Sequence, residues 1–310
     1  MRISEYNIGC HVPAASIEVI LKLCPMCGNS ISKSVYFIQE KPFVEIRNCS
    51  NCKTSFASRF PDHDFLEGYY SNYYKGHNDD QNVTTNSAIR FARHIARFSL
   101  EKFGDFPSTK FKILDYGGGD GSIGVEVAKI INRKRIIDVD IDVFENQSSL
   151  YQVDKRIECN YFFETNDLSL DYNLIIASGV LEHVRNPFEV LITMVDRLAV
   201  GGMIYIRTPY VLPTYRLLKF FGSKQDFGYP AHFFDFSPTS WGKISRMLMK
   251  KYPTISVYRT GASPSEVGIS KKPFLGLITV LLKMPTNLGL KYWPFCGGYE
   301  IVLRKGFENE

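Results

Sequence analysis

The chain has 310 residues, 45% of them hydrophobic, which is enough to bury the core of one large domain or two small ones. Net charge is +5, yet residues 243–295 carry nine Lys/Arg against the single acid Glu266, so the remainder is slightly acidic. That pattern excludes a uniformly basic binder and leaves one local basic face, suited to phosphate, anionic lipid or nucleic acid, or simply solvated. There is no apolar run near the roughly 20 residues that span a bilayer. Glu18 also breaks the apolar stretch 12–23, which argues against a signal peptide. The expected location is the cytoplasm, where thiols stay reduced.

Taken in chain order, the first strong signal is a pair of Cys-x-x-Cys knuckles, Cys24–Cys27 and Cys49–Cys52, with 21 residues between them. Four thiolates in a reducing compartment read as one closed, tetrahedral, structural Zn2+ site. Two disulfides are disfavoured by the compartment, and a single redox pair by the symmetry of the knuckles. Residues 34–38 and 43–47 read as the hairpin between them, making a zinc ribbon over 1–60. Its own charge is modest, so bracing or substrate shaping is expected of it rather than a phosphate grip.

Residues 61–105 read as an aromatic linker with a short helix. It contains Tyr69, Tyr70, Tyr73 and Tyr74, then His77, Asn78, Asp79 and Asp80, and ends in an amphipathic helix over 88–103. The tyrosines are expected to pack. From 106 to 310 strands and helices alternate: strand 111–115, helix 122–132, strand 135–141 and strand 173–178. A helix follows from Asn186-Pro187, then a strand over 203–208 and a helix from Ser237-Pro238. Strands at 254–259 and 299–304 close the chain. Repeated βα units predict an α/β fold, a Rossmann-like, doubly wound and mostly parallel sheet with the ribbon at its N-terminal side.

The first of these strands ends in Asp115, followed by Gly117, Gly119 and Gly121. Glycines there let a ligand lie against bare main chain. Gly119-x-Gly121-x-x-Gly124 also fits the dinucleotide fingerprint by letter. A carboxylate at the strand end would repel a pyrophosphate, however, and would attract a cationic amine or sulfonium. Asp140, taken as the carboxyl end of the second strand, is the preferred acid for ribose hydroxyls, with Asp138 and Asp142 as rivals. Asn166, Asp167 and Leu168 stand where a polar and an apolar group together would hold adenine.

The ordered set Asp115–Gly121, Ser178–Val184, Asn186–Phe188, Gly201-Gly202, Thr208-Pro209 and Phe236–Pro238 resembles class I S-adenosylmethionine (SAM)-dependent methyltransferases. With the ribbon and the Tyr-Tyr segment, it resembles a subgroup tied to sugars, surface glycans and secondary metabolites. The resemblance implies that SAM is the cofactor, that Asp115 and the glycines hold its methionine part, and that Asp140 holds ribose. Asn173 and Tyr210 depart from the family pattern.

Methyl transfer to oxygen requires that the acceptor lose a proton, for which a histidine of pKa near 7 is suited. His183, after the 173–178 strand, and His232, in the loop 229–235, are the candidates. Glu182 and Asp235 are candidate orienting acids, and Tyr210 and Tyr229 candidate sugar contacts. The expected reaction is O-methylation of a sugar or glycan precursor; another small metabolite methylated at O, N or C is the second reading. Nucleic acid is disfavoured as a partner. The apolar segments 217–221 and 273–282, the latter within a C-terminal apolar and basic insertion near 265–295, are expected to pack as a helical cap over the acceptor cleft. Peripheral contact with the inner face of the membrane is the alternative.

Overall fold

The computed structural model describes residues 10–75, 81–102, 110–144, 156–222, 227–264, 273–290 and 292–306. His77, Asn78, Asp79, Asp80 and residues 265–272 of the C-terminal segment lie outside the described residues.

Three strands come first: β1 (Ser32–Gln39), β2 (Val44–Cys49) and β3 (Ser55–Ala57), paired as an antiparallel meander. The stretch expected to be a linker then folds largely as two helices, α1 (His63–Lys75) and α2 (Gln81–Lys102). Asp62 starts the first of them by accepting the Phe65 N–H at 2.8 Å, one of the amides a helix start leaves open.

The alternating part runs β4 (Lys110–Tyr116), α3 (Ser122–Arg135), β5 (Asp138–Phe144), β6 (Ile157–Phe162) and β7 (Tyr172–Ser178). It continues through α4 (Pro187–Asp196), β8 (Leu198–Tyr210), α5 (Leu212–Phe220), β9 (Phe234–Asp235) and α6 (Pro238–Lys251), and closes with β10 (Ile255–Ala262), α7 (Pro273–Asn287) and β11 (Gly297–Lys305). Seven strands form one sheet in the order β10-β11-β8-β7-β4-β5-β6. The run from β8 to β6 is parallel, while β11 is antiparallel to both β8 and β10. The doubly wound, mostly parallel sheet is therefore as the sequence predicts.

Alternation along the strands sorts the core. Phe111, Ile113 and Ile141 point to one face, under Ala92 and Ile95 of α2 and Val127 and Ile131 of α3. Leu114, Ile175 and Ile204 point to the other, under Leu191 and Met194 of α4 and Trp241 and Ile244 of α6. Trp241 buries its ring and still satisfies its indole N–H, which donates to Thr208 Oγ1 at 3.1 Å.

Two boundaries correct the sequence reading. α3 continues through Arg133, Lys134 and Arg135, where cations meet the negative end of the helix dipole, and stops at Ile136 in the left-handed region (φ 58°). β5 consequently starts at Asp138 and ends at Phe144, so Asp140 stands third of seven residues and not at the carboxyl end. The apolar helix α7 leaves Leu277 and Leu281 both 53% exposed.

The N-terminal strands are not a detached lobe. β9 pairs with β3, Ser55 opposite Asp235 and Phe56 opposite Phe234, so one four-stranded sheet draws on both ends of the chain. Phe60 stacks on Phe233 with centroids 4.5 Å apart. Arg185 pairs with Glu18 and donates to the Pro61 carbonyl.

Between β4 and α3 the chain turns around a buried carboxylate. Asp115 is 2% exposed, and its Oδ2 accepts the Gly124 N–H at 2.9 Å. A Cβ on Gly118 would lie 2.6 Å from Asp115 Cγ, closer than real contacts allow. Gly118→Ala is therefore expected to destabilise the chain by about 1–3 kcal/mol through overpacking, read as a lower melting temperature in thermal denaturation. An unchanged melting temperature would show that Asp115 does not fill this turn.

Candidate functional site

The carboxyl edge of the parallel strands, where ligands bind in open α/β sheets, carries the glycine loop, the turn after β7 and the loop before β9. Gly117, Gly119 and Gly121 all adopt positive φ. Gly119 is the informative one. At φ +59° a side chain would be strained, and a Cβ there would meet nothing within 4 Å. The loop thus exposes bare main chain to open space beside the α3 N-terminus, where N–H groups converge. Asp120 Oδ1 caps that helix through the Ser122 N–H at 3.0 Å. These features fit a small ligand lying against the backbone.

Asp115 does not face that space. Burial pushes its carboxyl up to about 7, the Gly124 N–H pulls it back, and Asp120 adds repulsion. It sets the shape of the turn rather than offering an open ligand oxygen. Asp140 is also elsewhere. Its carboxylate meets Lys110 Nζ at 2.5 Å, and Lys110 begins β4, at the edge of the sheet opposite the glycine loop. The expected ribose contact is corrected accordingly. Its rival Asp142 is buried and held by the Tyr172 hydroxyl at 2.5 Å and the Asn160 amide at 3.2 Å. Asp167 is exposed on a single helical turn that follows β6.

The two histidines come together although 49 positions separate them. Their ring centroids are 4.7 Å apart with the rings nearly perpendicular. His183 Nδ1 lies 3.0 Å from the Ala231 carbonyl. A carbonyl only accepts, so Nδ1 carries the proton and Nε2 keeps its lone pair. The Tyr70 hydroxyl stands 3.2 Å from the same nitrogen. Burial lowers His183 to about 4, with the Ala231 bond opposing weakly. Burial also drives His232 well below the ordinary value, helped by His183 and Arg207. Both imidazoles are therefore neutral at pH 7, and lower in pKa than the value near 7 that suits a general base.

Other expected contacts resolve differently. Asp235 accepts the Val211 and Leu212 N–H groups at 2.7 and 3.4 Å, capping α5 instead of orienting a histidine. Tyr229 is 1% exposed and donates to the Arg59 carbonyl, so it packs. Tyr70, expected to pack, instead joins the histidine pair. The sequence offered only its place in a tyrosine-rich helix as a signal.

At the N-terminal side the four cysteine sulfurs lie within 4.8 Å of one another. Cys24–Cys52 and Cys27–Cys49 Sγ distances are both 3.6 Å. A tetrahedral ion with Zn–S bonds near 2.3 Å sets its sulfurs about 3.8 Å apart, whereas a disulfide needs about 2.05 Å. The knuckles are equivalent in backbone too. The Gly28 N–H donates to the Cys24 carbonyl and the Lys53 N–H to the Cys49 carbonyl, and both donors sit at positive φ. Asn29 and Asn51 reach Cys49 and Cys27 Sγ at 3.8 and 3.7 Å. The donor set and spacing fit a structural zinc ion.

Among solved structures, the plantazolicin methyltransferase BpumL in complex with S-adenosylhomocysteine (SAH) is 18% identical, over 78% of this chain and 90% of that one, with a TM-score of 0.48. The CurJ carbon methyltransferase is 13% identical over 70% and 54%, with a TM-score of 0.42. Coclaurine N-methyltransferase, bound to N-methylheliamine and SAH, is 14% identical over 69% and 70%, at 0.40. No curated protein sequence matches the chain. A family model described as a methyltransferase domain matches residues 87–246, just over half of the chain, and spans the glycine loop, both histidines and the sheet edge that joins them. The chain belongs to this methyltransferase family and is a SAM-dependent enzyme with its Rossmann-like fold.

Proposed function

We propose that the enzyme methylates a hydroxyl of a sugar or glycan precursor, with His232 taking the hydroxyl proton and His183 holding His232 in place. The observation that carries this reading is the half-buried pair itself: two neutral imidazoles, one ring edge against the other, on the carboxyl edge of the sheet. A neutral imidazole accepts a proton without first losing one. The Tyr70 hydroxyl beside His183 gives that wall an aromatic, hydroxyl-bearing surface suited to a polyol.

When bound, SAM supplies a methyl group already activated by its sulfonium. The chain's part is to align the acceptor oxygen, exclude water and receive the proton. In this proposal Gly117, Gly119 and Gly121 hold the methionine part, Asp115 fixes their turn, and Asp167 meets adenine. The four cysteines hold one structural zinc ion that stiffens residues 24–57. The division of the chain into a ribbon, a helical connector and a catalytic domain is part of the same proposal.

His232→Gln is expected to lower turnover by about 10²–10⁴-fold while leaving SAM affinity unchanged, measured by SAH release across a panel of sugar acceptors and by calorimetry. Undiminished turnover would remove His232 as the base. Because burial lowers both pKa values, the base form persists as pH falls. The acid limb of the pH–rate profile, set by His232 as the base, is expected well below 6.5. A limb at 6.5 would contradict the lowering of His232. Metal analysis is expected to return about one zinc per chain, and a value far below that would refute the ribbon.

A further inference from the structure

Helix α7 is apolar on most of what it shows. Leu277, Ile278, Val280, Leu281, Leu282 and Met284 are each between 37% and 53% exposed. At 100° per residue these six cover about 200° of the helix circumference. A surface helix of a globular protein ordinarily turns a polar face outward. Among the described residues no helix is long and apolar enough to cross a membrane.

The sequence around α7 carries charge of one sign. No acid stands between Glu266 and Glu300 in the sequence, while Lys271, Lys272, Lys283 and Lys291 do. The Lys283 ammonium donates to the Ser263 carbonyl. α5 repeats the pattern. Leu217, Phe220 and Phe221 are 44%, 83% and 73% exposed, with Arg216 and Lys219 among them and no acid between Asp196 and Asp226. Both helices attach at the same end of the sheet. α5 leaves the end of β8, and the segment after α7 enters β11 at Gly297, which pairs with Tyr210 of β8. Tyr292 on that segment is 73% exposed, and the Trp293 indole N–H donates to the Leu282 carbonyl. Such aromatics suit the headgroup layer.

We propose that α7 and the apolar end of α5 dock on an anionic phospholipid bilayer, lying in the interface without crossing it. Apolar side chains enter the acyl boundary, and the lysines and arginines that accompany them in the sequence meet lipid phosphates. A second copy of the chain fits less well, because a twofold contact would set the same basic rim against itself. The docking surface would turn the carboxyl edge of the sheet, with Tyr210 and the histidine pair, toward the headgroups. Only this consequence, delivery of a lipid-borne acceptor, rests on the proposed methylation.

The test is co-sedimentation of the full chain with vesicles of phosphatidylcholine alone, or with about a third phosphatidylglycerol. Binding is expected only with phosphatidylglycerol, and it should weaken as salt rises toward about 0.5 M. Leu277→Glu/Leu281→Glu should reduce partitioning at least about tenfold, and Arg216→Glu about fivefold. SAM affinity by calorimetry and the melting temperature should not move in these variants, which separates lost docking from lost folding or a failed cofactor site. No binding to anionic vesicles, or equal binding to neutral ones, would overturn the proposal. So would a dimer in analytical ultracentrifugation that the double variant splits, without vesicle binding, since it would assign the face to a second copy.

Discussion

The arrangement depends on the main chain of one buried residue, Phe233. Its N–H donates to the Glu182 carbonyl at 2.7 Å, and its carbonyl accepts the Ala57 N–H at 2.8 Å. The first bond ties the loop that carries His232 to the turn that carries His183. The second ties both to β3, which continues directly from the second cysteine knuckle. Phe233 is 1% exposed and its ring stacks on Phe60, so water does not compete for either bond. Three segments far apart in sequence therefore meet at one residue, and the histidine pair is the result.

This would give the cysteine cluster the bracing role that its modest charge suggests. β3 has three residues and β9 two, too little pairing to hold itself in water. An ion gripping four sulfurs would fix the ends of the β1–β2 hairpin, and the meander would pass that order to β3 and β9. The glycine loop touches this chain of contacts at Val180, where a Cβ on Gly117 would lie 2.8 Å from the side chain, but it is held in another way. Its turn is set by Asp115 against Gly124, and its strand lies within the large sheet. Cofactor side and acceptor side thus rest on different supports.

Much of this was legible in the sequence, because the informative signals were local. The knuckles, the glycine turn and the Asn-Pro and Ser-Pro helix starts each lie within a few residues, and the apolar strands announce a buried parallel sheet. What misled was geometry that only packing decides. Arg133–Arg135 read as the approach to a strand and instead extended a helix, and that shift carried Asp140 to the wrong edge of the sheet. Asp115 is a carboxylate in the expected place with its oxygen turned inward. Tyr70 reaches His183 across 113 positions, and the two-residue β9 pairs with a strand 179 positions before it. No periodicity encodes such contacts.

The central claim is that the cysteine ribbon holds the histidine loop while the cofactor sheet stands without it. Hydrogen exchange measured by mass spectrometry, with the zinc-loaded chain compared with chelator-treated chain, tests it directly. Amides of residues 55–57 and 231–236 are expected to lose protection on metal removal while those of β4 and β7 keep theirs. Unchanged protection at 231–236, or equal loss across β4 and β7, would contradict it.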